Sequence, residues 1–164
     1  KNFSLLIEAF SMVLKEINIS VTLKIYGEGP QRNTLQSQIN ELQLGDKIIL
    51  EGSVSDLHDR INGAALFVLS SNYEGFPNVL LEAMAMGLPV ISTDFQSGIA
   101  REVIGSENGI IVPVGDVRAL KSAIVKILNN KIYRLKMRKN NPYVREQYNI
   151  DTIIKKWLKI IEMR

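Results

Sequence analysis

The sequence predicts an α/β fold with a doubly wound parallel β-sheet and a helical C-terminal end. Segments patterned as strands alternate with segments patterned as helices from Ile19 to Val112. Several strand segments, such as Leu66–Leu69, are continuous apolar runs, which is typical of strands covered by helices on both faces. A length of 164 residues suits one domain, and 46% hydrophobic with 23% charged residues is ordinary for a globular protein. We therefore predict a single domain over residues 1–164.

The first elements follow from the spacing of the apolar residues. Three- and four-residue spacing predicts an opening helix with a buried face made of Phe3, Leu6, Ile7, Phe10, Val13, Leu14 and Ile17. Alternating apolar residues then predict a strand over Val21–Tyr26, ending at Gly27. Pro30 fits the first turn of a second helix, since the N–H that proline lacks is unpaired there. That helix is expected to end near Gly45 and to bury Leu35, Ile39 and Leu42.

The remaining elements continue the alternation before helices take over. We predict strands over Lys47–Glu51, Leu66–Leu69, Pro89–Ser92 and Ile110–Val112. We predict short helices over Asp56–Asn62, Asn78–Met86 and Ile99–Ile104, and expect the core to be filled in part by Met84 and Met86. Asp116 is placed to cap a longer helix that buries Leu120, Ala123, Ile124, Ile127 and Leu128. The last helix is predicted from about Asp151 to Ile161.

Charge is distributed unevenly along the chain. The whole sequence has 20 Lys+Arg and 17 Asp+Glu, which gives a net charge of +3. Residues 1–117 contain 7 basic and 14 acidic side chains, a net charge of −7. Residues 118–164, here called the basic tail, contain 13 basic and 3 acidic side chains, a net charge of +10. The modest overall charge therefore hides an acidic body and a basic tail.

Composition excludes several classes of protein and site. The chain has no cysteine, which excludes a disulfide framework, a cysteine metal cluster and a thiol nucleophile. No apolar run approaches the ~20 residues that a membrane-spanning helix needs. The start of the chain has an acid, Glu8, within an amphipathic pattern, which is unlike a signal peptide. Because the sequence begins at Lys1 rather than Met, we expect a piece of a longer protein.

Three loops that follow predicted strands are candidate binding elements, because ligands of such sheets bind beyond the carboxyl ends of the strands. They are Gly27–Pro30, Gly52–Val54 and Ser70–Asn78. The first has a Gly-x-Gly before a helix, with Glu51 where a dinucleotide site places an acid for the ribose. However, Arg32 replaces the third glycine, which close helix–strand packing requires, and a lone Gly-x-Gly is also a common tight turn. We therefore disfavour a nicotinamide dinucleotide.

The third loop has features that suit a phosphorylated sugar. Gly75 permits close backbone approach, and Pro77 with Asn78 can start a helix whose free N–H groups and positive dipole end favour an anion. Glu82 lies about one turn further along that helix, on the face above the anion site. Glu74 and Glu82 could accept hydrogen bonds from sugar hydroxyls. From spacing alone, a loop-capping Glu74 and a solvated Glu82 is an equally good interpretation.

The segment Glu74–Val90, with the sequence EGFPNVLLEAMAMGLPV, resembles the signature of retaining glycosyltransferases of family 4, the glycosyl transferases group 1. Its two glutamates match the E-x7-E motif of that family. Further matching segments follow in family order: Asn2–Phe10, Gly27–Pro30, Gly52–Val54, Glu102–Ile104 with Asn108–Gly109, and Val112–Pro113 followed by Gly115–Asp116. The resemblance covers the whole chain and implies the C-terminal, Rossmann-like, nucleotide-sugar-binding half of a GT-B enzyme.

The resemblance implies a donor site at the predicted loops. Glu82 would hold the ribose hydroxyls, and Glu74 would contact the transferred sugar or orient its site. Backbone N–H groups of Gly75, Phe76 and Asn78 would meet the sugar and the diphosphate, although Asn78 stands where many members have glycine. The implied donor-binding residues are Gly27, Gly29, Val54, Gly75, Phe76, Pro77, Asn78, Val79 and Glu82. Among them, Val54 is expected to line the nucleobase.

The resemblance also implies a mechanism. Lys1 matches a lysine that neutralises the leaving diphosphate together with an upstream arginine, and such electrostatic stabilisation is usually the largest catalytic contribution. Lys1 and Glu74 are thus the implied catalytic residues. The reaction would retain configuration, need no metal or other cofactor, and use no covalent nucleophile. A UDP-sugar is favoured over GDP- and ADP-sugars, with a hexosyl or N-acetylhexosaminyl group transferred to a glycan or lipid-linked acceptor during cytoplasmic polysaccharide synthesis.

The family has parts that find no match in this sequence. These are the N-terminal domain, which binds the acceptor, and a strand with the arginine that precedes Lys1. Without that strand, the segments Val21–Tyr26 and Leu66–Leu69 lack a shared neighbour. We therefore expect the native domain to include upstream residues, and we expect weak donor binding and no sugar transfer by these residues alone.

The basic tail has three interpretations: a solvated face, contact with the inner face of an anionic membrane, and nucleic-acid binding. Nucleic acid is disfavoured because no known motif or aromatic-interleaved patch is present. In the last helix, Lys155, Lys156 and Lys159 lie opposite an apolar stripe of Ile153, Ile154, Trp157, Leu158 and Ile161. The resemblance favours docking of this stripe on the missing domain and leaves the charge available to a membrane.

Two further expectations concern function. His58 lies in a charged stretch and is expected to face solvent, since no partner for a ligand role is evident. The alternative to a sugar transferase is a non-catalytic binding or interaction module on the same scaffold, because a fold does not determine a function.

Overall fold

The structure, a computed structural model, describes residues 1–162 and has the predicted α/β architecture with parallel strands. The strands are β1 (Leu23–Tyr26), β2 (Ile48–Gly52), β3 (Phe67–Leu69), β4 (Val90–Thr93) and β5 (Gly109–Val112). The helices are α1 (Phe3–Val13), α2 (Arg32–Glu41), α3 (Leu57–Ile61), α4 (Asn78–Ala85), α5 (Ile99–Val103), α6 (Val117–Asn129), α7 (Lys131–Asn140), α8 (Val144–Gln147) and α9 (Ile150–Glu162). Within this range, no helix combines the length and apolarity needed to cross a membrane.

The strands form two parallel sheets. One contains β1 and β2, and the other has the order β3-β4-β5. In the larger sheet, Val90 of β4 lies opposite Phe67 of β3 and Gly109 of β5. Helices cover both faces of β4. Its consecutive residues Val90 and Ile91 point to opposite faces, and both are fully buried, Val90 in a cluster with α4 and Ile91 in a cluster with α1 and α6. This confirms the interpretation of the apolar runs as strands covered on both faces.

Helix α1 joins the two sheets through two of its faces. Leu6 and Val13 pack in the cluster that contains Ile91 of β4, whereas Ile7 and Phe10 pack in a cluster with residues of β1 and β2. Asn2 starts the helix with a left-handed φ of 47°, and its side chain accepts a hydrogen bond from the Leu5 N–H at 3.3 Å. The start of the chain is therefore fixed relative to both sheets.

Helix α2 differs from its prediction at both ends. It begins at Arg32, so Pro30 lies in the preceding turn rather than in the first helical turn. It ends at Glu41 because Gln43 adopts a left-handed φ of 55° and the Leu44 N–H bonds to the Ile39 carbonyl, which closes a Schellman motif. Leu42, predicted to be buried, lies beyond the last turn and is 40% exposed.

The basic tail folds as helices α6 to α9. Asp116 caps α6 as predicted, with its carboxylate accepting from the Ala119 N–H at 2.8 Å, and the five predicted core residues of α6 are buried. On α9, the predicted apolar stripe is exposed except at Ile153, which is half-buried. The prediction for Lys156 falls on a side chain outside the described ones.

Candidate functional site

The first two candidate loops meet at the carboxyl ends of β1 and β2. The Gly27 N–H donates to the Gly52 carbonyl at 2.8 Å. Gly27 has a φ of +120° and Gly52 a φ of +77°, and side-chain-bearing residues rarely adopt such backbone conformations. Gly29 has an ordinary backbone conformation with open space at the Cβ position. Gly27 and Gly29 leave exposed backbone at the first loop, whereas Gly52 is buried with the Glu28 carboxylate against its Cβ position, and Val54 is half-buried.

The acidic and basic side chains around the first loop form ion pairs with one another. Arg32 donates to the Leu50 carbonyl and to the Glu28 carboxylate, both at 3.1 Å. Glu51, the acid that a dinucleotide site would use, lies 3.0 Å from Lys24 and 3.9 Å from Arg60. The hydrogen bond and charge of Glu51 raise the pKa of Lys24. The Glu51 carboxylate therefore already has two cationic partners.

The third loop brings together Lys1 and Glu74, which are 73 positions apart in the sequence. The Lys1 ammonium donates to Oε1 of Glu74, and Ser71 Oγ donates to the same oxygen at 2.5 Å. The Glu74 side chain is only 15% exposed. Burial by itself would raise the pKa of Glu74, but the hydrogen bonds from Lys1 and Ser71 and the Lys1 charge outweigh it and hold the pKa below its ordinary value. Glu74 is thus a fixed carboxylate with an adjacent cation.

A polar tether holds the start of the chain against this loop. Ser70, which is 2% exposed, donates from Oγ to the carbonyls of Lys1 and Asn2. The Asn2 side-chain amide donates to the Asn72 side chain at 2.9 Å. Because these bonds act on the backbone and on the neighbouring side chain, they position Lys1 beside Glu74 independently of the ion pair itself.

The N-terminus of α4 offers unpaired backbone donors. Pro77 occupies the N-cap position and makes no side-chain cap. Among the described residues, no protein acceptor takes a hydrogen bond from the N–H groups of Gly75, Phe76 and Val79. The family resemblance implies that the Asn78 N–H binds the sugar nucleotide. In this structure it instead donates to the Phe76 carbonyl at 3.0 Å, because the chain turns tightly before α4. Space at the Cβ position of Gly75 is open.

Glu82 lies on the exposed side of α4 and contacts α3. Its Oε2 is 3.3 Å from Nε2 of His58, with the glutamate side chain 43% and the histidine side chain 63% exposed. His58 is exposed as predicted, but it has a partner that the sequence does not indicate. This contact joins the region after β2 to the helix after β3.

An open cavity of about 370 Å³ adjoins α4 on the side of the basic tail. It is lined by residues of α4 and of α8 and α9, including Phe76, Glu82, Arg145 and Ile153. The Phe76 ring meets the Tyr148 ring edge-on at a centroid distance of 6.4 Å. A second cavity of the same volume, next to Gly105 and Tyr143, contains none of the predicted donor residues.

Sequence reasoning missed the residues that hold the site in place. Ser70, Ser71 and Asn72 belong to the loop that was singled out, but nothing in a single sequence indicates which hydroxyl bonds to which distant group. A Ser-Ser pair that ends three residues before a motif glutamate is the signal that the sequence offers. The described residues contain no group of three or more His, Cys, Asp or Glu side chains that could hold a metal ion.

Comparison with known proteins gives a match over most of the chain. Residues 1–144 match the profile of the family described as glycosyl transferases group 1. A relative from Streptococcus parasanguinis, the GtfA subunit of a UDP-N-acetylglucosamine–peptide N-acetylglucosaminyltransferase, is 32% identical over 171 residues, which covers 99% of this chain and 33% of the relative.

Two solved structures are similar in fold and sequence. One is a TarM variant from S. aureus in complex with fondaparinux, alpha-GlcNAc-glycerol and UDP, with a TM-score of 0.89 and 26% identity over 97% of this chain and 32% of that chain. The other is the pneumococcal O-GlcNAc transferase GtfA in complex with UDP and GlcNAc, with a TM-score of 0.85 and 26% identity over 99% of this chain and 33% of that chain. The chain therefore spans about a third of the length of each of these three proteins.

Proposed function

Because this chain belongs to the glycosyl transferases group 1 family, we propose that it is the donor-binding part of a retaining, metal-independent sugar transferase. Its fold is that of the C-terminal half of GT-B glycosyltransferases. The proposed donor is a nucleotide-diphosphate sugar. A UDP-sugar is favoured, since similar structures hold UDP.

The observation that carries the proposal is the Lys1–Glu74 pair beside the unpaired N–H groups at the start of α4. A nucleotide diphosphate brings negative charge, and its departure in the reaction increases the charge on the leaving phosphate. A cation and backbone N–H groups that are already in place stabilise that charge without reorganisation. The surrounding segment 1–117 has a net charge of −7, so the anion must be recognised by these local groups rather than by the overall field.

The two glutamates have separate proposed roles. Glu74 contacts the transferred sugar and orients Lys1 toward the diphosphate, whereas Glu82 accepts hydrogen bonds from the ribose hydroxyls at the open edge of α4. The backbone at Gly27, Gly29 and Val54 approaches the nucleotide. At the start of α4, the phosphate accepts a hydrogen bond from the Val79 N–H rather than from the Asn78 N–H, because the Asn78 N–H already has an acceptor.

The acceptor and the transferred group are proposed at the level of chemical class. We propose transfer of a hexosyl or N-acetylhexosaminyl group to a glycan or lipid-linked acceptor in the cytoplasm. The relative from S. parasanguinis and the two similar structures are named for or hold N-acetylglucosamine, which supports an amino sugar donor as the first to test.

We further propose that the native domain has an additional parallel strand between β1 and β3. Within the described residues, β1 pairs only with β2 and β3 only with β4, yet Leu23 of β1 and Val68 of β3 border the same apolar cluster. Two strand edges at one cluster leave unpaired backbone groups that such a strand would satisfy. Lengthening the chain upstream of Lys1 should then raise its melting temperature, and an unchanged value would contradict this arrangement.

Thermal unfolding with UDP, GDP and ADP tests the donor proposal, because a ligand that binds only the folded protein raises the melting temperature. UDP should give the largest shift. Gly75→Ala should abolish most of that shift without lowering stability, since its Cβ has open space in the protein and its φ is ordinary. Gly45→Ala is the matched control, with the same open space at a loop outside the site.

Two results would count against the proposal. Equal shifts for Gly75→Ala and Gly45→Ala would place the nucleotide elsewhere on the molecule. The second result is that no nucleotide shifts the melting temperature and that replacing Glu74 and Glu82 by alanine leaves the cellular function of the protein intact. This result would favour a non-catalytic interaction module.

A further inference from the structure

One face of α7 combines exposed apolar and basic side chains. Ile132 is 81% exposed and Leu135 is 55% exposed. No other large hydrophobic side chain among the described residues is as exposed as Ile132. The exposed lysines on the same helical face are Lys131, Lys136 and Lys139, and these five residues are here called the α7 surface.

The rotation of α7 is fixed by contacts on its opposite face. Met137 is fully buried in the cluster that contains α6. Arg134 donates to carbonyls near the end of α6, and Arg138 donates to the Ala64 carbonyl at 2.6 Å. Because these contacts hold the helix, Ile132 and Leu135 cannot turn into the core. Their exposure is a property of the folded domain.

The charge of α7 has one sign. Lys131–Asn140 contains five basic residues and no acidic one. Lys136 is neutralised by Glu107 at 2.6 Å. Lys131 and Lys139 form no hydrogen bond or ion pair with any residue in the described range, so two uncompensated cations flank the apolar pair. The surface thus combines two features, uncompensated positive charge and exposed apolar area, that an anionic and partly apolar partner would match.

We propose that the α7 surface rests on an anionic lipid bilayer. Ile132 and Leu135 enter the boundary between headgroups and acyl chains, and Lys131 and Lys139 face the lipid phosphates, as in other helices that lie in a membrane interface. A nucleic acid would match the lysines but would leave the two apolar side chains without a favourable environment. The inference is independent of the proposed donor site.

Vesicle sedimentation of the purified protein tests this surface. The vesicles contain equal parts of phosphatidylglycerol and phosphatidylcholine, or phosphatidylcholine alone. The wild-type protein should bind the first kind and lose binding as salt rises, because exposed charges are screened. Lys131→Gln with Lys139→Gln should weaken binding roughly 25-fold, since each lysine near an anionic surface contributes about fivefold. Ile132→Gln with Leu135→Gln should weaken it on the order of tenfold without adding charge.

Matched pairs in the acidic part of the chain provide controls. Ile19→Gln with Leu42→Gln removes two exposed apolar side chains, and Lys15→Gln with Lys47→Gln removes two lysines. Both should bind vesicles like the wild type, and circular dichroism should show all four variants folded. Absent binding to phosphatidylglycerol, equal binding to phosphatidylcholine alone, or α7 variants that behave like the controls would each overturn the proposal. Loss of binding only in the lysine variant would also overturn it, since it would indicate a purely electrostatic surface for polyanions.

Discussion

Glu74 and Glu82 belong to one motif, but they lie in opposite environments. Glu74 is 15% exposed and is held by the Lys1 ammonium and the Ser71 hydroxyl. Glu82 is 43% exposed, and its polar side-chain partner among the described residues, His58, is itself 63% exposed. The first carboxylate is fixed in the free protein, whereas the second can adjust to a ligand. A group that acts on developing charge benefits from such fixation, and a group that accepts hydroxyls at the edge of a site does not need it.

The largest expected effect is on Glu74. In the proposed sugar transferase, Glu74→Gln should lower kcat by about a hundredfold or more, because a fixed carboxylate and the orientation of Lys1 are both lost. Steady-state kinetics of sugar transfer measure this change in kcat. Glu41→Gln, at an exposed position of α2, serves as the control and should be neutral. A loss of kcat of less than about threefold, where about a hundredfold is expected, would contradict a role for Glu74 in the reaction.

A smaller effect of a different kind is expected at Glu82. Glu82→Gln should raise the KM for the nucleotide sugar by about tenfold, the cost of one hydrogen bond to a charged group, and should leave kcat within about threefold. The free energy of unfolding should change little, because the carboxylate is exposed. If kcat fell as much as in Glu74→Gln, the assignment of separate roles to the two glutamates would be wrong.

Ser71 tests whether fixation itself matters. Ser71→Ala removes one donor from a fully buried position while retaining Glu74 and Lys1. We expect kcat to fall by about tenfold, because the carboxylate becomes mobile, with little change in KM. The pKa of Glu74 should rise, which would move the acid limb of the kcat profile to higher pH. Ser37→Ala, on the exposed face of α2, is the control. An unshifted pH profile would show that Ser71 acts only on stability.

The smallest expected effect is the pH dependence of stability. The pKa of Glu74 lies below its ordinary value in the folded protein, so the ionised group stabilises the fold above the unfolded pKa of about 4.3, and this contribution is lost as the pH falls through the folded pKa. Denaturant unfolding of wild type and Glu74→Gln should therefore differ at neutral pH and converge in acid. Curves that stay parallel down to the lowest pH at which both proteins fold would contradict the ion pair.

Much of the scaffold could be predicted because local chemistry determines it. The apolar stripe of α6 and its Asp116 cap were found from residue type and spacing alone, and all five predicted core positions are buried. The end of α2 was not predictable in this way. The helix ends at Glu41, four residues before Gly45, because the left-handed residue is Gln43 and not the glycine that usually adopts this conformation.

The candidate site was predictable only in part. The motif glutamates and Lys1 could be identified by family resemblance, and the residues between the strands could be placed at one edge of the sheet. The hydroxyls of Ser70 and Ser71 and the His58–Glu82 contact could not, since each depends on the relative position of segments far apart in the chain. The turn that pairs the Asn78 N–H with the Phe76 carbonyl was not predictable either, because the ring of Pro77 fixes φ but leaves ψ open.

The tether between Ser70 and the first two residues has a consequence for folding kinetics. It closes a loop of about 70 residues, so the entropy of bringing its ends together must be overcome before any of its bonds form. Local pairs such as β1–β2 can form earlier, and Lys1 meets Glu74 only when α1 has docked on both sheets. We expect a nucleotide that requires this pair to bind only after the rate-limiting step of folding. It should slow unfolding and leave the folding rate unchanged.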